Sequence, residues 1–291
     1  MPRVSVIIRT YNRADYIGEA IESVFAQTFN DLELIVVDDG STDATKEVLA
    51  QYEGRLRTLY LEHTGNLSHL GNAAIRVSDG EFVAFLDSDD IWLPEKLALQ
   101  IKLLSDDSRF GFSYTNGCLL YPDGTRSAPA LEPEQIVRGF VLPALVRNMC
   151  VHISTSVVRR TCFDRIGWFD ERHPSAEDFF FFLNLAAATE GVCVPQAMAL
   201  IRQHGGQMSS GLGLSRYQEA ISALEELLLN HRLNREVRRE AQRTIARHHT
   251  HIARKLIENG QTAQARPHLL QAFRRNPLHR PAWRWALRGL I

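Results

Sequence analysis

The feature that most constrains this chain is a pair of short apolar runs that each break off at a cluster of acids. Residues 32–37 lead into VVDDGSTD and residues 82–86 lead into FLDSDD, so two buried strands would carry carboxylates to their ends. Residues 4–8 form a third β-branched run, and Ile17, Ala20, Ile21 and Val24 recur between the first two at helical spacing. Strands that alternate with helices require right-handed crossovers and a largely parallel sheet covered on both faces, an α/β architecture. Ligands of such sheets bind beyond the carboxyl ends of the strands. Thr10, Tyr11, Asp38, Asp39 and the acids from Asp87 to Asp90 fall there, where a metal and a phosphorylated ligand can meet them.

Composition narrows the field without deciding it. The 291 residues suffice for one large α/β domain plus an appendage, and a hydrophobic fraction of 45% is ordinary for a globular protein. A net charge of −1 argues against a general nucleic-acid binder. Cys118, Cys150, Cys162 and Cys193 are widely spaced with no zinc pattern, which favours buried free thiols. No basic-then-apolar leader follows Met1, and no apolar stretch reaches the ~18 residues of a membrane span. The expectation is a cytoplasmic protein in a reducing compartment.

With these strands placed, the chain resembles the inverting family 2 glycosyltransferases, whose nucleotide-binding half has the GT-A fold. The matching residues are SVIIRTYNR, VVDDGSTD, GEFVAFLDSDDIWLPEKL, GWFDE, AED and RQHGGQMSS, in that order over residues 3–212. Each motif alone is weak, whereas their order and spacing are specific. The resemblance implies a GT-A domain over residues 1–212, with a nucleotide half at 1–110 and an acceptor half at 111–212. Residues 213–291 are left as a basic α-helical extension. It also implies transfer of a sugar from a nucleotide donor, UDP-linked by preference, to a hydroxyl of a glycan or lipid-linked acceptor in cell-surface polysaccharide synthesis.

Such a transfer needs a cation for the leaving diphosphate, and Asp87, Ser88 and Asp89 offer the hard oxygen ligands that Mg²⁺ or Mn²⁺ prefers. By resemblance Asp89 holds the metal with Asp87 and His204. Thr10, Tyr11, Asn12, Arg13, Asp38, Asp39, Asp87 and Ser88 would then meet the nucleotide. Inversion needs a base for the acceptor hydroxyl, and the resemblance assigns it to Asp178. Glu177, Trp168 and His152, with Asn148, are candidates for the acceptor side. Plainer readings stand beside these: Asp90 or Asp178 as helix caps, and Asp43 as the cap of the helix through Leu49. For Asp178 a helix dipole lowers the pKa while burial among Phe179 to Phe182 raises it, and the sequence leaves the sign open. The glycine-rich loop after His204 reads as a closure over the donor.

The chain departs from the family at several points. Arg9 stands where members carry Pro, and Leu70-Gly71-Asn72 stands where they carry Ala-Arg-Asn, in what reads as a loop after the third strand. Four consecutive phenylalanines occupy the segment after Asp178, more readily as packing than as an apolar acceptor subsite. YPDGT reads as a turn, LEPEQIVRGF as the start of a helix, and HISTSVVRR as a strand.

Beyond residue 214, SRYQEAISALEELLLNH has amphipathic helical spacing. From Arg232 onward 14 Arg and Lys face three Glu and no Asp. ARKLIENGQTAQARPHLLQAFRRNP resembles one tetratricopeptide-type hairpin, which would have to dock elsewhere to cover its face. Arg beside Trp283 and Trp285 suits either peripheral attachment at the inner face of an anionic membrane, a protein partner, or a solvated basic face. Two other functions compete with the transferase: a degenerate GT-A scaffold, and a sugar-phosphate nucleotidyltransferase, which lacks here the glycine-rich phosphate loop it needs.

Overall fold

The computed structural model describes residues 2–173, 176–206 and 213–288. They divide into two compact units, Met1–Val141 with Cys150–Gly205, and Leu142–Met149 with Gly206–Ile291.

In the first unit β1 (Val4–Thr10), β2 (Leu32–Asp38), β3 (Arg57–Tyr60) and β4 (Phe82–Asp87) run parallel, joined through α1 (Ile17–Phe25), α2 (Thr45–Ala50) and α3 (Leu67–Val77). All seven residues of β1 are buried, as a central parallel strand covered on both faces must be. Ile17, Ala20, Ile21 and Val24 form the apolar stripe of α1 and join the core with Val4, Val6, Ile8, Leu34 and Val36. Truncating Ile21 to Ala would cost about 2–5 kcal/mol through lost transfer energy and the cavity left behind. Register matters most for the site: Thr10 lies beside Asp38, and Arg9 beside Asp87. The chain leaves β1 toward β2 and returns on the other side at β4, so the carboxyl ends of these strands flank a topological switch point.

The rest of this unit is β5 (Ile91–Trp92), α4 (Lys96–Asp106), β6 (Phe110–Leu120), β7 (Arg138–Gly139), β8 (Ser156–Arg159), α6 (Thr161–Ile166), α7 (Glu177–Ala188) and β9 (Glu190–Arg202). The sheet order is β3-β2-β1-β4-β8-β6-β9-β5, with β7 on β9. Antiparallel β8 sits between β4 and β6, making the sheet mixed. LEPEQIVRGF does not start a helix: Pro133–Gln135 make one 3₁₀ turn, and Arg138–Gly139 pair with β9. HISTSVVRR is a strand only from Ser156, because His152 accepts from the Ser154 amide and caps a 3₁₀ turn over Ile153–Thr155. Leu70-Gly71-Asn72 is not a loop but the middle of α3. Phe180, Phe181 and Phe182 are buried in the core of the unit and only Phe179 is half-buried. All four cysteines are free; Cys162 and Cys193 are buried, while Cys118 and Cys150 are half-buried.

The second unit contains α5 (Leu142–Arg147), α8 (Ser215–Asn230), α9 (Arg235–Glu258), α10 (Thr262–Arg275) and α11 (Arg280–Arg288). The Asn234 side chain caps α9 by accepting from the Val237 amide at 2.9 Å. Gly260, at φ +76°, turns the chain from α9 into α10, and Ala253, Ala265, Leu269 and Ala272 are buried. The pair does not lie bare, since α5, α8 and α11 of the same unit pack on α9 and cover much of it. Among the described residues no helix is long and apolar enough to cross a membrane.

Candidate active site

β1 ends in Thr10, whose buried hydroxyl has no hydrogen-bond partner, and the chain then turns through Asn12 at φ +51°. Asn12 Oδ1 accepts from the Thr42 amide at 2.8 Å, and the Arg13 amide donates to Thr45 Oγ1 at 2.9 Å, so the loops after β1 and β2 are laced together. Asp38 is fully buried and accepts from the amide and hydroxyl of Ser41. That engages its carboxylate with the turn after β2. Asp43 accepts from the Thr45 amide at 3.0 Å, serving the first turn of α2.

Asp39 is 1% exposed and organises the segment after β3. It accepts from the amides of Thr64 at 2.9 Å and Gly65 at 2.8 Å, and lies 2.9 Å from His63 Nδ1. His63 in turn stacks on Tyr11, with centroids 4.0 Å apart. Asp39 thus holds His63 in place beneath Tyr11, whose ring is 37% exposed. Gly40 is required here: at φ +71° a Cβ would lie 2.9 Å from the His63 amide nitrogen.

The acids after β4 separate into two groups. Asp87, Asp90 and His152 can each bring a ligand atom within 4.8 Å of the others. Asp89 instead faces His204, with Oδ2 3.0 Å from Nε2, and also meets Arg13 Nε at 3.3 Å. Asp89 Oδ2 thus serves an imidazole and a guanidinium at once. Asp90 is no helix cap. It accepts from Ser154 Oγ at 2.6 Å and the Arg202 amide at 3.0 Å, fixing the end of β9 to the acidic loop. Arg202 Nε adds a bond to the Asp89 carbonyl at 2.9 Å. Burial pushes Asp90 up to about 7 against the opposing pull of His152, with Asp87 and Asp89 reinforcing the rise. Burial works against charge on His152, yet Asp90, Asp87, Asp178 and Asp89 hold its pKa above the usual value. Ser88 is buried beside these acids.

At the start of α7, Glu177 and Asp178 take different environments. Asp178 Oδ1 accepts from the Phe179 amide at 2.7 Å, so it is not the N-cap, which is Ala176. Its pKa is raised, foremost by burial and further by Asp87, against the pull of His152, the Phe179 amide and Arg9. Burial therefore prevails over the helix terminus. Glu177 is almost wholly buried and binds Arg9, with Nη1 2.7 Å from Oε1. The other arm of Arg9 meets Asp87 at 3.3 Å, and Nη1 also donates to the Leu67 carbonyl at 3.2 Å. One guanidinium from β1 therefore bridges the acidic loop and the helix that carries Asp178. Gly71 belongs to the same arrangement: a Cβ there would press on the Phe169 ring at 3.0 Å, and Phe169 lies under the Arg9 guanidinium.

Trp168 is 39% exposed with Arg76 over its ring, so its recorded contact is with α3 rather than with the acids. Asn148 belongs to the second unit. Residues 207–212, where the closing loop was expected, lie outside the described residues. His63 and Ser154 join the site although sequence reasoning gave neither a role in it. Arg9, which bridges the acidic loop and α7, was marked in the sequence as a departure from the family pattern.

A mixed sheet that carries a cluster of acids, with a metal-capable group among them, to one carboxyl edge is the architecture of a GT-A domain. Family models for "Glycosyl transferase family 2" and "Glycosyltransferase like family 2" match residues 5–119 and 136–244. Escherichia coli WfaP, named UDP-Glc:alpha-D-GlcNAc-diphosphoundecaprenol beta-1,3-glucosyltransferase, is 30% identical over 186 residues, 64% of this chain and 70% of that protein. Bacillus subtilis TuaG, named a putative teichuronic acid biosynthesis glycosyltransferase, is 42% identical over 127 residues, 43% of this chain and 50% of that one. The crystal structure of Staphylococcus aureus TarS 1-349 with UDP aligns at a TM-score of 0.72 and 21% identity, covering 94% of this chain and 81% of that one. The chain belongs to glycosyltransferase family 2. It spans about half the length of the first curated relatives it matches.

Proposed function

We propose that this chain transfers a sugar, with inversion, from a UDP-sugar to a hydroxyl of a glycan carried on a lipid diphosphate, in the synthesis of a cell-surface polysaccharide. The observation that carries the reading is the Arg9 guanidinium, which joins Asp87 to Glu177 and so ties the start of α7, where Asp178 stands, to the acids at the carboxyl edge. Kinship to WfaP, whose name states such a donor and acceptor, supports both substrates. The outer face of Tyr11, backed by His63, would take the base.

Asp178 would accept the acceptor hydroxyl's proton as that oxygen attacks the anomeric carbon opposite the diphosphate. Its raised pKa brings it nearer the working pH, where a general base is most effective. Arg9 would hold Asp87 and Glu177 in register and so fix where the base stands relative to the donor. Asp89 and His204, with Asp87, would hold a Mn²⁺ or Mg²⁺, which when bound neutralises charge on the leaving diphosphate. The basic helices of the second unit suit attachment at the inner membrane face, close to lipid-linked acceptors.

The test is a thermal-shift screen of UDP, GDP, dTDP and CMP with and without Mn²⁺, followed by transfer assays. A ligand at 100 times its Kd adds about 2.7 kcal/mol to the folded state. A metal-dependent rise with UDP that survives Asp178→Asn and disappears in Asp89→Ala, with transfer lost in both, supports the assignment. Stabilisation by no nucleotide at saturating metal would refute the transferase and favour a scaffold.

A further inference from the structure

The second unit carries an open pocket of about 230 Å³ that the sugar-transfer reading does not use. Arg247, Thr250, His251 and Arg254 line it from one face of α9, at i, i+3, i+4 and i+7. His279, Pro281 and Trp285 close the other side. No carboxylate is among the lining groups.

Polar atoms there lack partners. Arg254 Nε and His279 Nε2 are buried atoms without a hydrogen bond, so neither side chain is committed to a protein acceptor through that nitrogen. The nearby acids are few. Glu258 stands 3.7 Å from Arg254 Nε, too far for a hydrogen bond, and Glu240 acts on Arg247 while also pairing with Arg147 and Arg243. Against them stand Arg147, which repels Arg247, and Arg216, Arg247 and Arg254, which all repel charge on His251. The Arg247 guanidinium is partly held by the Arg147 carbonyl and by Thr244. The excess of positive charge around a lined space favours an anion, and arginine forks with imidazole donors match phosphate oxygens.

The pocket has room for more than a bare ion. A water claims about 30 Å³ of the liquid, so this volume holds a phosphoryl group and an organic substituent besides. Trp285 and Pro281 supply an apolar wall for that substituent, and Arg288 covers the indole at 5.0 Å. We infer that the pocket between α9 and α11 binds a phosphate monoester, its oxygens on Arg247, Arg254 and His279 and its organic part against Trp285. The phosphate can belong to a soluble metabolite or to a lipid headgroup.

Calorimetric titration of the full-length protein with inorganic phosphate, with glucose 1-phosphate, and with phosphatidylcholine vesicles with and without phosphatidic acid tests this. Saturable binding that Arg254→Gln weakens at least tenfold is expected for the preferred probe. Trp285→Leu should weaken an organic phosphate much more than inorganic phosphate. Preference for glucose 1-phosphate identifies a soluble source, and preference for phosphatidic acid vesicles a lipid one. Arg254→Lys, which keeps charge and loses the fork, should bind with intermediate strength and guards against misfolding of the glutamine variant. The inference is overturned if no probe binds saturably, or if binding is unchanged in both the Arg254 and Trp285 variants of native circular dichroism. Because the second unit carries these residues, nucleotide binding and transfer can fail without affecting the result.

Discussion

Replacing Arg9 by Met keeps most of the buried stem and removes the guanidinium that joins Asp87 to Glu177. The Glu177 contact is 2.7 Å long between side chains only 2% and 4% exposed, so its loss strands a carboxylate away from water. Breaking one side of such a pair costs about 3–5 kcal/mol. Asp87 is 31% exposed, and its share is held to about 1 kcal/mol or less by solvent screening. Glu177 can limit the loss by taking a proton, since burial, opposed by Arg9 itself, already raises its pKa to about 7. The expected loss near neutral pH is therefore about 3 kcal/mol, toward the low end of that range. At about 2–4 °C per kcal/mol for a unit of this size, the melting midpoint should fall by about 6–12 °C. Glu177→Gln removes the stranded charge, so the double variant should recover about half the loss or more, with a coupling of at least about 1.5 kcal/mol in a double-mutant cycle. The assay is urea or thermal unfolding of all four proteins at one pH. A loss below about 1 kcal/mol for Arg9→Met, or a coupling near zero, would refute the bridge.

Three further outcomes concern α3, the acidic loop and the second unit. Gly71→Ala should destabilise despite a helix-propensity gain of about 1 kcal/mol, because the new Cβ meets a Phe169 ring wedged by Phe85 and Phe181, and overpacking costs about 1–3 kcal/mol; a higher midpoint would overturn this. Asp89→Asn should abolish Mn²⁺-dependent stabilisation by UDP, whereas Asp90→Asn should change the apparent metal affinity by no more than about threefold; the reverse pattern would assign the ion to Asp87, Asp90 and His152. In the second unit burial, with nearby cations, pushes His248 and His249 down to about 4. The unfolded chain then binds more protons between about pH 6.5 and 4, so stability contributed by these groups is present above 6.5 and is lost on acidification through that window. His249→Gln should flatten the fall in urea midpoint, and an unchanged slope would count against the reading.

Much of the nucleotide half was legible because its signals are local. β-branched runs and the stripe of Ile17, Ala20, Ile21 and Val24 report burial directly, and parallel strands joined by short helices must align their carboxyl ends. The mixed half was less legible. β8 pairs antiparallel with β4 and β6 across long stretches of chain, and LEPEQIVRGF has helix-start chemistry at Pro133 but yields to pairing of Arg138 with β9. Gly71 looked like a loop residue, yet it is the small position that lets α3 approach Phe169.

The sequence by itself determined the strand and helix alternation, the acids at one sheet edge, and the basic character of the helical tail, since each depends on neighbours a few residues apart. Which acid meets which partner was decided only by tertiary structure. Arg9 and Glu177 are 168 positions apart, and Asp89 and His204 are 115 apart. Their pairing depends on strand register and on how α7 and β9 return to the sheet. The sign of the Asp178 shift was decided in the same way, because burial and the carboxylates around it exist only after the chain has closed on itself.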